Sequence, residues 1–285
     1  MKTVWSRDDR FEMVRGDFEI FHNYTERSVV TEYHTHNFYE VLFFLSGSVE
    51  YAVESRLYLL HPGDIILTNN SELHKTIIKD GKPYERYVLW IQPTFIETVN
   101  RQFPGVSLTA CFDSTAKLHH NLVCPDQAVF QTFLHLLEKL SAPAGVDQPD
   151  LGILHACYMT ELLVFLNRAQ KATALTAGVH VLSNPKIDEV VFYINNHLHE
   201  PLSLDALSRR FYISKFYLSR LFKACTGIPL HQYILNKRFL HAKRLLLSGK
   251  DPYCACVESG FRDYSHFSRS FKAFFGYPPS GIPSP

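Results

Sequence analysis

The sequence predicts an α+β protein with a β-rich N-terminal part, a helical middle and an all-α C-terminal domain. Residues 18–92 contain short runs of β-branched and aromatic residues separated by turn residues, which is typical of a closed or sandwich-like β-structure. From about Asp126, apolar residues recur three and four positions apart, the period of an amphipathic helix. The last hundred residues keep a helical pattern and contain an internal repeat.

The composition is that of an ordinary globular protein. Of 285 residues, 46% are apolar and 20% are charged, which excludes intrinsic disorder and is enough for two ordinary domains with buried cores. Residues 1–17 are polar and charged, unlike a signal peptide, and no apolar run approaches the roughly 18 residues of a membrane span. We therefore expect a cytoplasmic protein with no membrane partner.

The six cysteines predict ordinary reduced thiols. They are Cys111, Cys124, Cys157, Cys225, Cys254 and Cys256. Only the last two are close together, and no second pair of that spacing completes a zinc site or a disulfide framework.

The net charge of +1 conceals an uneven distribution. Residues 186–285 carry 14 Lys and Arg against 7 Asp and Glu, a net charge of +7, so the rest of the chain has a net charge of −6. A basic C-terminal end suits a polyanionic partner, although a merely solvated charged face has the same composition.

The predicted elements follow from these patterns. Strands are expected at Tyr39–Leu45, Val49–Val53, Arg56–Leu60, Asp64–Leu67 and Tyr87–Ile91, and turns at Gly47, Pro62-Gly63, Asn69-Asn70 and Asp80-Gly81. Helices are expected at Asp126–Ser141 and Gln148–Gln170. The segment Ala169–Pro185 has little charge and no clear period, which is typical of a linker.

The C-terminal repeat compares Ser214–Pro229 with Asp263–Pro278 at an offset of 49 residues without a gap. Seven of the sixteen positions are identical, whereas average composition gives about one match by chance. Ser214 and Asp263 are good N-caps, and Gly227 and Gly276 suit the C-caps. One supersecondary unit therefore occurs twice.

Each repeated helix follows a shorter helix, Leu204–Phe211 in the first copy and Pro252–Ser259 in the second. A short helix, a tight turn and a longer helix form the helix-turn-helix pattern, whose second helix enters the DNA major groove. We expect DNA contacts from the polar faces of the longer helices: Ser214, Lys215, Phe216, Tyr217, Ser219, Arg220 and Lys223 in the first, and Tyr264, Ser265, Ser268, Arg269 and Lys272 in the second.

Arg220 and Arg269 are the strongest candidates for base contacts, because arginine can bind guanine bidentately for about 1–3 kcal/mol of discrimination. Lys215 lies in the first turn of its helix, where a cation is unfavourable because it opposes the helix dipole. A phosphate or base partner would explain it, and so would simple exposure to water. The segment Leu230–Leu247 joins the units and would be roughly 27 Å long as a helix. A helix of this length, acting as a rigid strut, could hold two recognition helices about 34 Å apart, a distance that corresponds to one turn of DNA.

These residues resemble the AraC/XylS family of transcription regulators over about Ile187–Pro279. The shared pattern includes Ile213-Ser214, Tyr217–Lys223, Thr226-Gly227, Arg238, Ala242 and Leu245-Leu246, then Gly260-Phe261, Asp263, Phe267–Arg269, Phe271-Lys272, Gly276 and Pro279. The resemblance implies a seven-helix domain with two helix-turn-helix units, and promoter binding that usually activates through RNA polymerase.

Two departures from the family pattern concern the second unit. An isoleucine-alanine pair is usual in its first helix, where this chain has Ala255-Cys256, and the usual aromatic and arginine after Pro279 are absent. We therefore expect a loosely packed first helix and weaker DNA binding by the second unit.

The N-terminal part resembles the cupin barrel. The matching residues are His34, His36 and Glu40, Gly47, Pro62-Gly63-Asp64, and His74. In metal-binding cupins, three histidines and the carboxylate hold one divalent ion, and these ligands suit zinc, iron, manganese or nickel. On one strand, His34, His36 and Glu40 would share a face.

Several interpretations of this region remain open. It is a small-molecule pocket without metal, a metal-assisted sensor site, a metalloenzyme site, or a shell with buried, hydrogen-bonded histidines. Tyr51 and Trp90 either line a cavity or belong to the core. The resemblance implies a sugar or another small metabolite as effector, and no cofactor other than a divalent metal is expected.

The domains expected are a cupin-like sensor (1–110), a helical dimerisation region (111–172), a linker (173–185) and the double helix-turn-helix domain (186–285). We expect a DNA-binding regulator, not an enzyme, whose partners are double-stranded DNA, RNA polymerase, a small-molecule effector and a second copy. In relatives the helices after the barrel pair between subunits, although here they could only cover the barrel. The rival functions are a cupin metalloenzyme with a DNA-binding tail and a module whose basic helices bind an acidic protein.

Overall fold

A computed structural model describes residues 13–14, 16–26, 30–79, 82–113, 121–141, 150–173 and 181–282. The chain divides into two compact units. The N-terminal unit comprises Met1–Val53 and Leu57–Leu182, and the C-terminal unit comprises Glu54–Arg56 and Ser183–Pro285. Among the described residues, no helix combines the length and apolar character needed to span a membrane.

The N-terminal unit contains two antiparallel sheets. Its strands are β1 (Phe18–Thr25), β2 (Tyr39–Ser46), β3 (Val49–Val53), β4 (Arg56–Leu59), β5 (Ile65–Thr68), β6 (His74–Ile78), β7 (Tyr84–Ile91), β8 (Leu122–Val123) and β9 (Val181–Leu182). The five-stranded sheet has the order β1-β7-β2-β5-β8, and the four-stranded sheet has the order β6-β3-β4-β9. Apolar side chains from both sheets, such as Leu42, Tyr51 and Val88, form one shared core.

The other face of the five-stranded sheet is covered by helices. These are α1 (Pro93–Gln102), α2 (Gln127–Ser141) and α3 (Leu151–Thr173), with a 3₁₀ turn at Ala110–Phe112. Val41 and Phe43 of β2 pack in a second core with Phe133 of α2 and Leu162 of α3. The side chains of β2 therefore alternate between the two cores, as a period of two requires.

The C-terminal unit is helical in its described residues. Its helices are α4 (Pro185–Asn196), α5 (Leu204–Arg210), α6 (Lys215–Thr226), α7 (Leu230–Leu247), α8 (Pro252–Glu258) and α9 (Tyr264–Phe275). The predicted caps are confirmed. The side chains of Ser214 and Asp263 accept backbone N–H bonds from Tyr217 and His266, and Gly227 and Gly276 end α6 and α9 with φ of 76° and 83°.

The structure differs from the sequence predictions in several places. The strands β1, β6, β8 and β9 were not predicted, and β9 lies inside the predicted linker because Val181 and Leu182 pair with β4. The predicted dimerisation region forms no compact unit of its own, since α2 and α3 pack on the sheet. Residues 80–81 and 148–149, predicted as turn and helix, lie outside the described residues.

The C-terminal unit also departs from the family expectation at its end. Among its described residues the C-terminal unit has six α-helices and, after the last of them, a 3₁₀ turn at Pro279–Gly281, so a seventh α-helix is not found there. Pro278 and Pro279 supply no backbone N–H groups and Gly281 is a poor helix former, which explains why no longer helix forms there.

Candidate functional site

The α5–α6 pair has the geometry of a helix-turn-helix with an exposed second helix. On α6, Leu218 and Phe222 are fully buried, and the predicted DNA-binding residues lie on the opposite side. Those residues are all exposed: Ser214, Lys215, Phe216, Tyr217, Ser219, Arg220 and Lys223. The predicted division of α6 into two faces is confirmed, and contact with DNA stays a prediction for each residue.

The α8–α9 pair repeats this arrangement. Phe267 and Phe271 of α9 are fully buried, in the positions that Leu218 and Phe222 occupy on α6 when the offset of 49 residues is applied. The predicted contact residues Tyr264, Ser265, Arg269 and Lys272 are exposed, and Ser268 is half-buried. Arg220 and Arg269 therefore occupy equivalent positions on equivalent surfaces.

Two cations of α6 have partners within the protein. Lys215 forms an ion pair with Asp205 of α5, and this contact lowers the pKa of Asp205. The Arg220 guanidinium lies over the Phe216 ring, 5.7 Å from its centroid. Both pairs are solvent-exposed, so they orient the side chains and leave them within reach of another molecule.

The two turns share a feature that the sequence pattern did not show. Tyr212, between α5 and α6, and Gly260, between α8 and α9, both have left-handed backbone with φ of 55° and 83°. Tyr212 is 94% exposed. A non-glycine residue in this conformation is uncommon and costs about 1–2 kcal/mol, and no local sequence signal at Tyr212 indicates it.

The first helix of the second unit is well packed, contrary to the expectation of loose packing. Ala255 and Cys256 of α8 are buried in one core with Phe239, Phe267 and Phe271. Small side chains at these two positions allow α8 to lie close to the aromatic residues, which explains why the unusual pair does not loosen the helix.

A second candidate site is a buried polar centre in the N-terminal unit. His36, Glu40 and His74 offer one ligand atom each, and these atoms lie within 4.8 Å of one another. Glu40 lies on β2, His74 begins β6, and His36 precedes β2. His36 and His74 are 6% and 0% exposed.

The imidazoles are held in one orientation by the backbone. Nδ1 of His36 lies 2.8 Å from the Phe38 carbonyl oxygen, and Nδ1 of His74 lies 3.0 Å from that of Glu72. A carbonyl oxygen can only accept, so Nδ1 donates and Nε2 is the remaining ring nitrogen. Both Nε2 atoms are buried and lack a hydrogen-bond partner among the described residues.

The Glu40 carboxylate lies between the two imidazoles. Its oxygens are 3.5 Å from His36 Nε2 and 3.8 Å from His74 Nε2, and they accept hydrogen bonds from Tyr51 Oη (2.8 Å) and Trp90 Nε1 (2.7 Å). Tyr51 and Trp90, predicted either to line a cavity or to belong to the core, are both buried, and a role in lining a cavity stays a prediction. The Trp90 ring packs on Phe21 and Phe38, so part of its surface belongs to the core.

The electrostatics of the centre keep its groups in different charge states. Burial alone would raise the pKa of Glu40, but the close imidazoles of His36 and His74 hold that pKa well below its usual range. Burial lowers the pKa of His74 far below 6.5, and burial also lowers the pKa of His34. An ionised Glu40 carboxylate beside a His74 imidazole that burial keeps neutral is a protonation state in which these two side chains can bind a metal ion.

His34 is placed differently from the sequence prediction. His34 and His36 do not share a strand with Glu40, because β2 begins only at Tyr39. The His34 backbone instead exchanges two 3.1 Å hydrogen bonds with that of His74. Its ring lies 4.4 Å from the His74 ring, and it is not part of the group whose ligand atoms lie within 4.8 Å.

Two further polar side chains lie in this unit and were not predicted. Thr68 faces Glu40 across the β2–β5 ladder, and its hydroxyl is buried without a hydrogen-bond partner among the described residues. The Tyr84 hydroxyl is likewise buried and unpartnered, and burial raises the pKa of Tyr84 well above 10. Only the strand register, which depends on non-local pairing, shows that Thr68 lies beside Glu40.

Comparison with known proteins matches each of the two units to a family of domains. The AraC-like ligand binding domain matches residues 15–155, and a helix-turn-helix domain matches residues 207–282. The uncharacterized HTH-type transcriptional regulator YbfI of Bacillus subtilis is 26% identical over 82% of this chain and 80% of its own. The HTH-type transcriptional activator RhaS of Salmonella agona is 23% identical over 87% of this chain and 86% of its own.

A further relative has a higher identity over a shorter part of the chain. The multiple antibiotic resistance protein MarA of Escherichia coli is 34% identical over 33% of this chain and 74% of its own. Among solved structures, ToxT of Vibrio cholerae covers 94% of this chain and 95% of its own at 12% identity, with a TM-score of 0.42. That score is too low to support any statement about function.

A ligand-binding β-domain followed by two exposed helix-turn-helix units defines a DNA-binding transcription regulator that binds a small molecule. Its curated relatives are named as transcription regulators. The chain belongs to the AraC family of these regulators, as the sequence resemblance predicts.

Proposed function

We propose that this chain activates transcription by reading two adjacent major-groove segments with α6 and α9, under the control of a small molecule bound in the N-terminal unit. The observation that carries the proposal is the repeated surface of the C-terminal unit. Arg220 and Lys223 on α6 recur as Arg269 and Lys272 on α9, and all four are exposed. RhaS, a relative across most of the chain, is named as an activator.

The two kinds of cation have separate roles in this proposal. Arg220 and Arg269 lie about two turns into their helices and read base edges, because guanidinium groups bind guanine bidentately. Lys223 and Lys272 bind phosphates, which positions the protein without selecting sequence. The α7 strut spans 18 residues, or roughly 27 Å, which suits grooves that face the same side of the duplex.

The active form is a homodimer that contacts RNA polymerase in the cytoplasm, where a bacterial regulator meets its DNA. Support for the dimer comes from the N-terminal end of α3. Ile153 and Leu154 there are 69% and 42% exposed, although the later part of the helix is buried on the sheet. Exposed neighbouring aliphatic side chains favour contact with a second copy.

The effector site is centred on His36, Glu40 and His74, with Tyr51 and Trp90 as the neighbours that hold Glu40. In this proposal the chain is a sensor and not an enzyme. A ligand controls DNA binding only if its affinity differs between two arrangements of the protein, so effector binding and DNA binding must be thermodynamically linked.

A metal-assisted version of this site is favoured by one specific observation. The Nε2 atoms of His36 and His74 are buried beside the Glu40 carboxylate and lack a partner among the described residues. Two nitrogens and one carboxylate are a ligand set that suits zinc, iron or manganese, and ligands supported by backbone hydrogen bonds are typical of metal centres. A bound divalent ion would supply a Lewis acid that fixes an oxygen atom of the effector.

Recovery of bound genomic fragments by the full-length protein tests the regulatory proposal. We expect enrichment of a two-part sequence, and the genes beside it would indicate the effector's chemistry. Candidate compounds should then change the affinity for that sequence. Equal affinity for all duplexes at moderate salt would contradict the proposal and would favour the acidic-protein module instead.

Titration with Zn²⁺ and Co²⁺, followed by calorimetry and by the visible spectrum of Co²⁺, tests the metal-assisted version. We expect one ion per chain in the wild type and loss of binding in Glu40→Gln. His22→Gln is the matched control, because His22 is an exposed residue that pairs with Glu85 away from the centre. If the wild-type protein binds neither ion, the metal-assisted version is contradicted and the effector site works without metal. If the metal-loaded protein turns over a small substrate, the rival function, a metalloenzyme, is favoured.

A further inference from the structure

Helix α7 contributes to both helix-turn-helix units. In its first half, Tyr233 packs against Phe222 of α6, with ring centroids 5.3 Å apart. In its second half, Phe239 lies in the core of the second unit and stacks on Phe261 at 5.1 Å. Arg238 lies between these two halves.

Arg238 donates to the segment that leads into the first unit. Its Nε lies 3.0 Å from the Leu198 carbonyl oxygen, and its Nη2 lies 2.7 Å from that of Glu200. Both carbonyls belong to the loop between α4 and α5. One half-buried guanidinium therefore fixes that loop to α7 through two charge-assisted hydrogen bonds.

The turn of the second unit lies against the same groups. A Cβ atom on Gly260 would be 2.2 Å from the Leu198 carbonyl oxygen and 2.9 Å from Nε and Nη2 of Arg238. A separation of 2.2 Å between non-bonded heavy atoms is impossible, so the turn approaches this closely only because residue 260 is glycine. The first-unit loop, α7 and the second-unit turn thus meet at one point.

The first turn shows that left-handed backbone alone does not require glycine here. Tyr212 has the same conformation two residues after the end of α5, as Gly260 has two residues after the end of α8, and its side chain is 94% exposed. What requires glycine at position 260 is the close approach to Leu198 and Arg238.

We infer that Arg238 and Gly260 are positioning residues that set the distance and orientation between the two recognition helices, and so determine which half-site spacing the protein accepts. The inference rests on the proposed simultaneous binding of α6 and α9 to one duplex. Without this contact, the C-terminal unit would keep the exposed faces of α6 and α9 but would bind half-sites at several different spacings.

The test uses the full-length protein and duplexes selected by the wild type from a random pool. One set has one or two base pairs added or removed between the two halves, and a second set has either half scrambled. Affinities are measured by fluorescence anisotropy. The variants are Arg238→Lys, which cannot donate to both carbonyls in the same geometry, and Gly260→Ala.

The matched controls are Arg244→Lys, the same change on the same helix, and Tyr212→Gly, at the equivalent turn. We expect wild type and both controls to lose at least about tenfold in affinity when the spacing changes by one base pair. We expect Arg238→Lys and Gly260→Ala to lose affinity for the selected spacing, to differ by less than about threefold among spacings, and to bind a single half within about twofold of wild type.

Arg238→Lys with the wild-type preference for one spacing would overturn the inference. Equal losses on single halves and on the complete duplex would also overturn it, because they indicate damage to each unit and not to their placement. Variants that show no helical circular dichroism at any temperature would assign Arg238 to the folding core instead. A wild type that is indifferent to spacing and to scrambling of one half would show that the proposed two-part binding itself fails.

Discussion

Glu40 is the residue on which the polar centre of the N-terminal unit depends. Trp90 Nε1 and Tyr51 Oη both donate to it from buried positions. Glu40→Leu leaves both donors without an acceptor, and we expect a loss of about 2–4 kcal/mol in the free energy of unfolding, measured with urea. Glu40→Gln should cost less than about 1 kcal/mol, because its oxygen can accept from Trp90 and its amide can donate to Tyr51.

A Gln variant as destabilised as the Leu variant would indicate that the negative charge, and not the hydrogen bonds, stabilises the centre. In that case the metal titration of Glu40→Gln would need to be repeated at a temperature where the variant is folded.

Arg220 and Lys223 separate base reading from phosphate binding on a single helix. We expect Arg220→Ala to cost about 1–3 kcal/mol on the best duplex and to relax the preference at one base pair, because a bidentate contact is lost. Lys223→Ala should weaken binding to all duplexes alike and lower the slope of log affinity against log salt by about 1. Competition titrations with single-base substitutions measure both effects, and equal, sequence-blind losses would contradict base reading by Arg220.

For single residues, the types of side chain that form each site were easier to predict from the sequence than their positions in the fold. The exposed cations of α6 and α9 follow from a helical period that is local, so their faces could be assigned without the structure. The placement of His34 could not be assigned, because its pairing with His74 joins segments forty residues apart. Thr68 was missed for the same reason, since its proximity to Glu40 exists only through strand register.

Among the secondary-structure elements, α9 offers a direct test of its N-terminal cap. The Asp263 carboxylate accepts the backbone N–H of His266 at 2.7 Å. Asp263→Ala should lower the free energy of unfolding by about 1 kcal/mol, whereas Asp263→Asn should change it by a few tenths, because the amide oxygen can take the same bond. Urea unfolding followed by circular dichroism measures the difference, and an equal loss in both variants would assign the effect to charge.

The helices α2, α3 and α5 to α9 were predicted within a few residues, whereas α1 and four strands were not predicted. The ends of the helices from α6 to α9 are marked by caps, glycines and prolines, and all of these signals act locally. The strands β8 and β9 have two residues each, too few for any period to appear, and they exist because β5 and β4 supply partners. At Val181 and Leu182, tertiary pairing therefore outweighed the linker-like composition of the sequence.

For the whole molecule, the exposed end of α3 makes the dimer testable. We expect Ile153→Asp to weaken self-association by about 10- to 100-fold, because an aliphatic side chain buried at an interface contributes about 1.5–3 kcal/mol. Sedimentation velocity over a range of concentrations measures this loss, with Ile153→Leu as the control that keeps the apolar surface. A wild type that stays monomeric at all concentrations would leave α2 and α3 with only the role of covering the sheet.

The division of β2 between two environments has a mechanical consequence. Glu40 points to the polar centre, and its neighbour Val41 points to the helical layer, where Phe43 meets Phe133 of α2 at 5.7 Å. Successive side chains on one strand share a backbone, so a ligand that drew the backbone of Glu40 towards the polar centre would also draw Val41 away from the helices. If the effector occupies the polar centre as proposed, β2 would pass that occupancy directly to the helical layer, with the strand order of the sheet unchanged.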